Sequence, residues 1–89
     1  DGGLIKAKKV FSQIIETNEK SVEAFFNLAN IFHIQGDIGK AIKAFNKVLS
    51  LDETHTDAAI SLSVLYNDIG RYEDGKRVFN QASNRVKKP

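Results

Sequence analysis

The chain has 89 residues, of which 42% are apolar and 27% charged, and its formal net charge is +2. These values are ordinary for one soluble globular domain, and the charge is too small to indicate nucleic-acid binding by itself. The absence of cysteine excludes disulfides and thiolate zinc sites, and no apolar run reaches the roughly 20 residues that span a bilayer. Because no export signal is visible we expect a cytoplasmic protein, and the lack of methionine predicts a segment of a longer chain.

Apolar residues recur along the chain with the spacing of one helical face, as at Phe25, Leu28, Ala29 and Phe32. This periodicity predicts five helices, at 4–16, 22–35, 38–51, 56–69 and 72–86. Ser21 and Asp37 are predicted N-caps, and Gly36 is a predicted left-handed residue after the second helix. A connection of two residues after such a glycine forces an antiparallel hairpin.

The sequence repeats itself with a period of 34 residues. This shift places Leu28 on Leu62, Gly36 on Gly70 and Phe45 on Phe79. It divides the chain into a half repeat at 2–21, which holds a second helix only, and full repeats at 22–55 and 56–89. Gly75 stands in the last helix where the first full repeat has Ala41. This glycine predicts a close crossing of two helices, and the alternative is a tolerated replacement of alanine.

The period and its residue types resemble the tetratricopeptide repeat. The matching positions are Phe25, Leu28, Ala29, Phe32, Ala41, Phe45 and Val48, then Ala59, Leu62, Ser63, Tyr66, Gly75, Phe79 and Ala82. Glu19 and Glu53 stand where the family often has proline. The resemblance implies an all-α solenoid of antiparallel hairpins, wound as a right-handed superhelix. It also implies a non-enzymatic module whose first helices line a concave groove that binds a peptide or helix of a partner protein.

Each first helix carries a second face beyond its internal stripe, and this face is the predicted groove. The candidate binding residues are Glu23, Phe26, Asn27, Asn30, His33, Ile34, Asp57, Ile60, Val64, Asn67 and Asp68. Neither first helix contains lysine or arginine, so we expect an apolar and preferably basic partner. The alternative is that neighbouring first helices pack together through some of these positions. A family subgroup grips carboxylates with basic residues on these helices, and the lack of such residues argues against that role.

Basic residues concentrate on the second helices, as at Lys40, Lys43 and Lys47. Such a face is usually solvated, and its alternatives are an acidic partner, nucleic acid or anionic lipid. The face lacks the interleaved aromatic residues that single-strand binders use, so we expect no nucleic-acid partner. His33 and His55 lack a second ligand at metal spacing, and no phosphate-binding loop or nucleophile motif is present. The sequence therefore predicts no catalytic residue, metal or cofactor.

The first predicted helix has an apolar stripe that needs cover on more than one side. Its members are Leu4, Ala7, Phe11, Ile14 and Ile15. The helix at 22–35 covers only one side, and uncapped ends of repeat arrays expose apolar surface. This predicts homo-oligomerisation through the stripe as an alternative function. A regulatory domain of a larger enzyme is a third alternative.

Overall fold

A computed structural model describes residues 2–17 and 21–87, with side chains from 2–14 and 21–84, and this part holds five α-helices and no strand. The helices are α1 (Gly2–Thr17), α2 (Val22–Ile34), α3 (Ile38–Leu51), α4 (Thr56–Asp68) and α5 (Tyr72–Lys87). Each predicted helix agrees with the structure to within two residues at either end. The all-α prediction is confirmed.

Side-chain caps fix where three of the helices begin. Ser21 Oγ accepts a hydrogen bond from the Ala24 N–H at 3.2 Å, so the predicted cap of α2 is confirmed. Asp37 Oδ1 accepts from the Lys40 N–H at 3.4 Å and caps α3 as predicted. The cap of α4 is His55, whose Nδ1 accepts from the Ala58 N–H at 3.1 Å. This bond requires an imidazole with its proton on Nε2, a role the sequence did not indicate.

Two glycines turn the chain back on itself. Gly36 and Gly70 have φ values of +79° and +81°, a left-handed conformation that glycine adopts without steric penalty. The backbone N–H of the residue after Gly36 then donates to the Phe32 carbonyl at 2.9 Å, and that after Gly70 donates to the Tyr66 carbonyl at 2.8 Å. The result is two antiparallel hairpins, α2–α3 and α4–α5.

The core lies where the two hairpins meet. Phe45 and Val48 of α3 are fully buried, as are Leu62 and Leu65 of α4. Each helix packs on the next one in the chain, and no more distant pair in the described part makes comparable contact. The molecule is therefore an open-ended helical solenoid.

Gly75 marks the closest approach inside the second hairpin. A Cβ built at this position would lie 2.7 Å from Asn67 Oδ1 and 3.0 Å from the Ser63 carbonyl oxygen. Both separations are shorter than ordinary van der Waals contact. The close helix crossing predicted at Gly75 is confirmed.

Phe45 and Phe79 occupy equivalent positions in the two repeats but differ in burial. Phe45 is completely buried, whereas Phe79 is 50% exposed. α4 packs against α3 and covers Phe45. No helix in the described part of the chain covers Phe79 in the same way.

Candidate functional site

The outward face of α4 is an apolar pair with an acidic residue at each end. Ile60 and Val64, one turn apart, are 45% and 46% exposed. Every other apolar side chain of α4 is buried, namely Ala58, Ala59, Leu62, Leu65 and Tyr66. Asp57 and Asp68 are exposed near the two ends of the helix. Helical periodicity places Ile60 and Val64 outside the internal stripe, and in the structure both are exposed.

Phe26, the α2 counterpart of Ile60, has a packing role. Its ring lies edge-on to Phe45 at a centroid distance of 6.0 Å and tilted against His55 at 4.7 Å. It is half-buried and joins α2 to α3 and to the start of α4. This candidate groove residue therefore packs within its own repeat and against the cap residue of α4, and not against the next first helix.

The remaining candidate residues on α2 differ in accessibility. Asn27, Asn30 and His33 are half-buried, while Ile34 is 69% exposed. Asn30 is the repeat counterpart of Val64, so the two belong to the same face of successive first helices. The repeat therefore has an amide on α2 at the position where α4 has an exposed apolar side chain.

The candidate residues Asn67 and Glu23 lie at the edges of the predicted groove face. Asn67 places its amide oxygen against Gly75 of α5, which draws this side chain towards its own hairpin. Glu23 lines a cavity of about 210 Å³ between α1 and α2, together with Phe11 and Ile14. Both side chains thus have neighbours that do not belong to the exposed apolar pair of α4.

The charges of α2 and α4 have two different physical explanations. Glu23 and Asp57 lie in the first turns of their helices, where a carboxylate is stabilised by the helix dipole. Asp68 lies at the end of α4, where the dipole disfavours a negative charge, and it has no ion-pair partner in the described part of the chain. The helix dipole therefore explains why Glu23 and Asp57 are acidic. It does not explain why Asp68 is acidic.

The predicted self-association residues on α1 are only partly accessible. Leu4, Ala7 and Phe11 are half-buried and Ile14 is 37% exposed, while the Ile15 side chain lies outside the described residues. The most exposed apolar side chains of this helix are Ile5 at 60% and Val10 at 52%, which the periodicity placed outside the stripe. Exposed apolar surface is present on α1, but most of it lies on residues that sequence reasoning missed.

Among the described residues, no group of three or more His, Asp or Glu side chains could hold a metal ion. None of the helices in that same part of the chain is both long enough and apolar enough to cross a bilayer.

Residues 22–55 match the family model of the tetratricopeptide repeat. The structure also superposes on solved structures of MamA, a protein that contains such repeats. Residues 22–55 are therefore similar to a tetratricopeptide repeat, and the chain has a helical-solenoid fold. No curated protein sequence matches it at a significant level.

The MamA structures agree with the chain in fold. One has a TM-score of 0.84 at 22% sequence identity, and the match covers 89% of this chain and 46% of that one. A structure of MamA AMB-1 has a TM-score of 0.82 at 20% sequence identity, and the match covers 93% of this chain and 45% of that one. A structure of MamA MSR-1 has a TM-score of 0.81 at 20% sequence identity, and the match covers 92% of this chain and 47% of that one. The chain thus spans about half the length of the MamA chains it matches.

Proposed function

We propose that the chain is a non-enzymatic protein-interaction module, built from a half repeat at 2–21 and full repeats at 22–55 and 56–89. The observation that carries this proposal is the exposure of Ile60 and Val64 on a helix whose other apolar residues are buried. Exposed apolar side chains on the face that the family uses for binding offer an anchoring surface for a partner. Asn30 and Ile34 extend this surface onto α2.

The proposed partner segment is apolar with basic residues beside it. α2 and α4 contain no lysine or arginine, and the carboxylate of Asp68 is exposed and unpaired in the described part of the chain. A partner lysine or arginine would supply the missing counter-charge. An extended peptide or a helix would satisfy this chemistry.

The double substitution Ile60→Ser with Val64→Ser is expected to weaken peptide binding at least tenfold. It removes apolar contact area at the centre of the proposed surface, where anchors carry most of the binding energy. Peptides selected on the unmodified chain from a displayed random library would be titrated against the variant by calorimetry. The melting temperature should change little, since both side chains are already half exposed.

The matched control is Ile5→Ser with Val10→Ser on α1. It makes the same two chemical changes at side chains with similar exposure, 60% and 52%. Affinity should stay within twofold of the unmodified chain. Equal losses of peptide affinity in the two double variants would contradict the assignment of this surface. The assignment would also be contradicted if the α4 variant bound the peptide normally but had a lowered melting temperature.

Self-association is a second candidate function, favoured by apolar exposure on the first and last helices. Phe79 and Tyr72 of α5 are 50% and 66% exposed, and α1 exposes Ile5 and Val10. Stacking of one copy on another would cover these surfaces, and a head-to-tail contact could continue as a fibre. We propose that the α1 stripe, including Phe11, contributes to this contact.

Sedimentation velocity at increasing concentration is the direct measurement. We expect the apparent mass to rise towards that of a dimer, and Phe11→Glu to lower it by placing a charge in the contact. A chain that stays monomeric into the hundreds of micromolar would exclude this function.

A further inference from the structure

A second accessible apolar surface lies on the first hairpin, away from the groove residues. It is a shallow pocket of about 360 Å³ between α2 and α3, with largely apolar walls. Its lining residues are Phe25, Leu28, Phe32, Lys40, Lys43, Ala44 and Lys47. We refer to it as the lysine-rimmed pocket.

Its rim carries a concentrated positive charge. Lys40, Lys43 and Lys47 follow one another at helical spacing along α3, so all three reach the same edge. The Lys40 ammonium lies 5.7 Å from the Phe32 ring centroid, and the Lys47 ammonium 5.8 Å from that of Phe25. From α1, the Lys8 ammonium also lies 5.7 Å from the Phe32 ring.

Little negative charge offsets these lysines. Asp37 lies 3.7 Å from Lys40, and both side chains are well exposed. The Lys43 and Lys47 ammonium groups have no carboxylate partner among the described residues. Cation–π contacts at such exposed positions are weak and do not neutralise the charge. The pocket thus combines an aromatic floor with two ammonium groups that have no carboxylate partner in the part of the chain that the structure describes.

In the next hairpin the equivalent surface is covered by the preceding helix of the chain. Ala59, Leu62 and Tyr66, the counterparts of the three floor residues on α2, are all buried. α3 packs on that helix, and Asn46 Nδ2 donates to the Tyr66 hydroxyl at 3.3 Å. In the second repeat the surface is therefore closed by a helix. In the first repeat α1 packs on α2 but leaves Phe25 and Phe32 half-buried.

The charge of the rim distinguishes the two hairpins. The counterparts of Lys40, Lys43 and Lys47 are Asp74, Arg77 and Gln81. Asp74 forms ion pairs with Arg71 at 2.7 Å and with Arg77 at 2.9 Å, so the one cationic residue among these three counterparts has a carboxylate partner. The row of three lysines belongs to the first hairpin, so it is not a requirement of the repeat.

We propose that the lysine-rimmed pocket binds an acidic amphipathic helix of a partner protein. Apolar side chains of that helix would lie on Phe25 and Phe32, and its carboxylates would pair with Lys43 and Lys47. This partner has the opposite charge to the one proposed for the α2–α4 groove. The two surfaces could hold two different segments at the same time.

The probe is a labelled synthetic helix with leucine and phenylalanine on one face and glutamate beside them, followed by fluorescence anisotropy. Lys43→Glu and Lys47→Glu should each weaken its binding about three- to tenfold, because each replaces an attraction by a repulsion. Added salt should weaken binding as well. Replacing the probe's glutamates with glutamine, or its apolar face with serine, should each reduce binding strongly.

The matched control is Lys76→Glu, which makes the same charge change at an exposed position of α5. Binding should then change less than twofold, and circular dichroism should show that all variants remain helical. The groove variant Ile60→Ser with Val64→Ser should bind the acidic probe normally. A failure of the pocket proposal can therefore be distinguished from a failure of the groove proposal. Equal effects of Lys43→Glu and Lys76→Glu would overturn the pocket proposal. So would tighter, Lys43-dependent binding of phosphatidylserine vesicles or of a single-stranded oligonucleotide.

Discussion

Phe45→Ala is expected to lower the free energy of unfolding by about 3–5 kcal/mol. Phe45 is fully buried where the two hairpins meet, and its ring lies edge-to-face on Phe26. Truncation removes the aromatic contacts and leaves a cavity that the surrounding helices can fill only by shifting from their packed positions. A domain of this size has a total stability of roughly 4–13 kcal/mol, so the variant should lose a large part of it. Urea unfolding followed by circular dichroism measures the difference.

The repeat supplies a matched control for this substitution. Phe79→Ala makes the same chemical change at the equivalent position of α5, where the side chain is 50% exposed. We expect a loss below about 1.5 kcal/mol, because little new cavity forms at a surface position. If both variants melt together, the burial of Phe45 does not hold the hairpins together in solution.

Leu65→Ala should destabilise the chain by about 2–5 kcal/mol, whereas Val64→Ala should change stability by about 0.5 kcal/mol or less. The two residues are neighbours on α4, but Leu65 is completely buried and Val64 is 46% exposed. Denaturant midpoints of the two variants provide the measurement. A similar loss in both would mean that α4 is rotated about its axis relative to the structure, and would remove Val64 from the proposed binding surface.

The helices and hairpins could be predicted because their determinants are local. Caps at Ser21 and Asp37 and the left-handed Gly36 act over a few residues, and each is confirmed. Burial depends on which helix packs where, and a single apolar stripe does not contain this information. Ala24, Ile31, Ala58 and Leu65 are buried although none belonged to a predicted stripe. An α2 or α4 helix packs on two neighbours, so its buried surface is wider than one face.

The same limit applies to the candidate site. Helical periodicity separated Ile60 and Val64 from the core, since an exposed face opposite a strong stripe is visible in sequence. It assigned Phe26 to the same face but could not show its contacts with Phe45 and His55, because those rings come from other parts of the chain. The lysine-rimmed pocket was missed for the same reason. In the sequence the lysines of α3 indicate only a solvated surface. The structure shows that Phe25 and Phe32 of α2 lie beside them.

The close approach at Gly75 has a consequence for engineering the chain. Consensus substitution commonly stabilises repeat proteins, and Ala at this position would restore the residue found at the equivalent Ala41 and improve helix propensity by about 1 kcal/mol. Yet the added methyl group would meet the Ser63 carbonyl oxygen at 3.0 Å as well as the movable Asn67 side chain. The gain in propensity is then offset by the cost of pushing α4 and α5 apart. The two hairpins are therefore not interchangeable building blocks, and an array made by copying residues 22–55 would differ in spacing from one made by copying the second repeat.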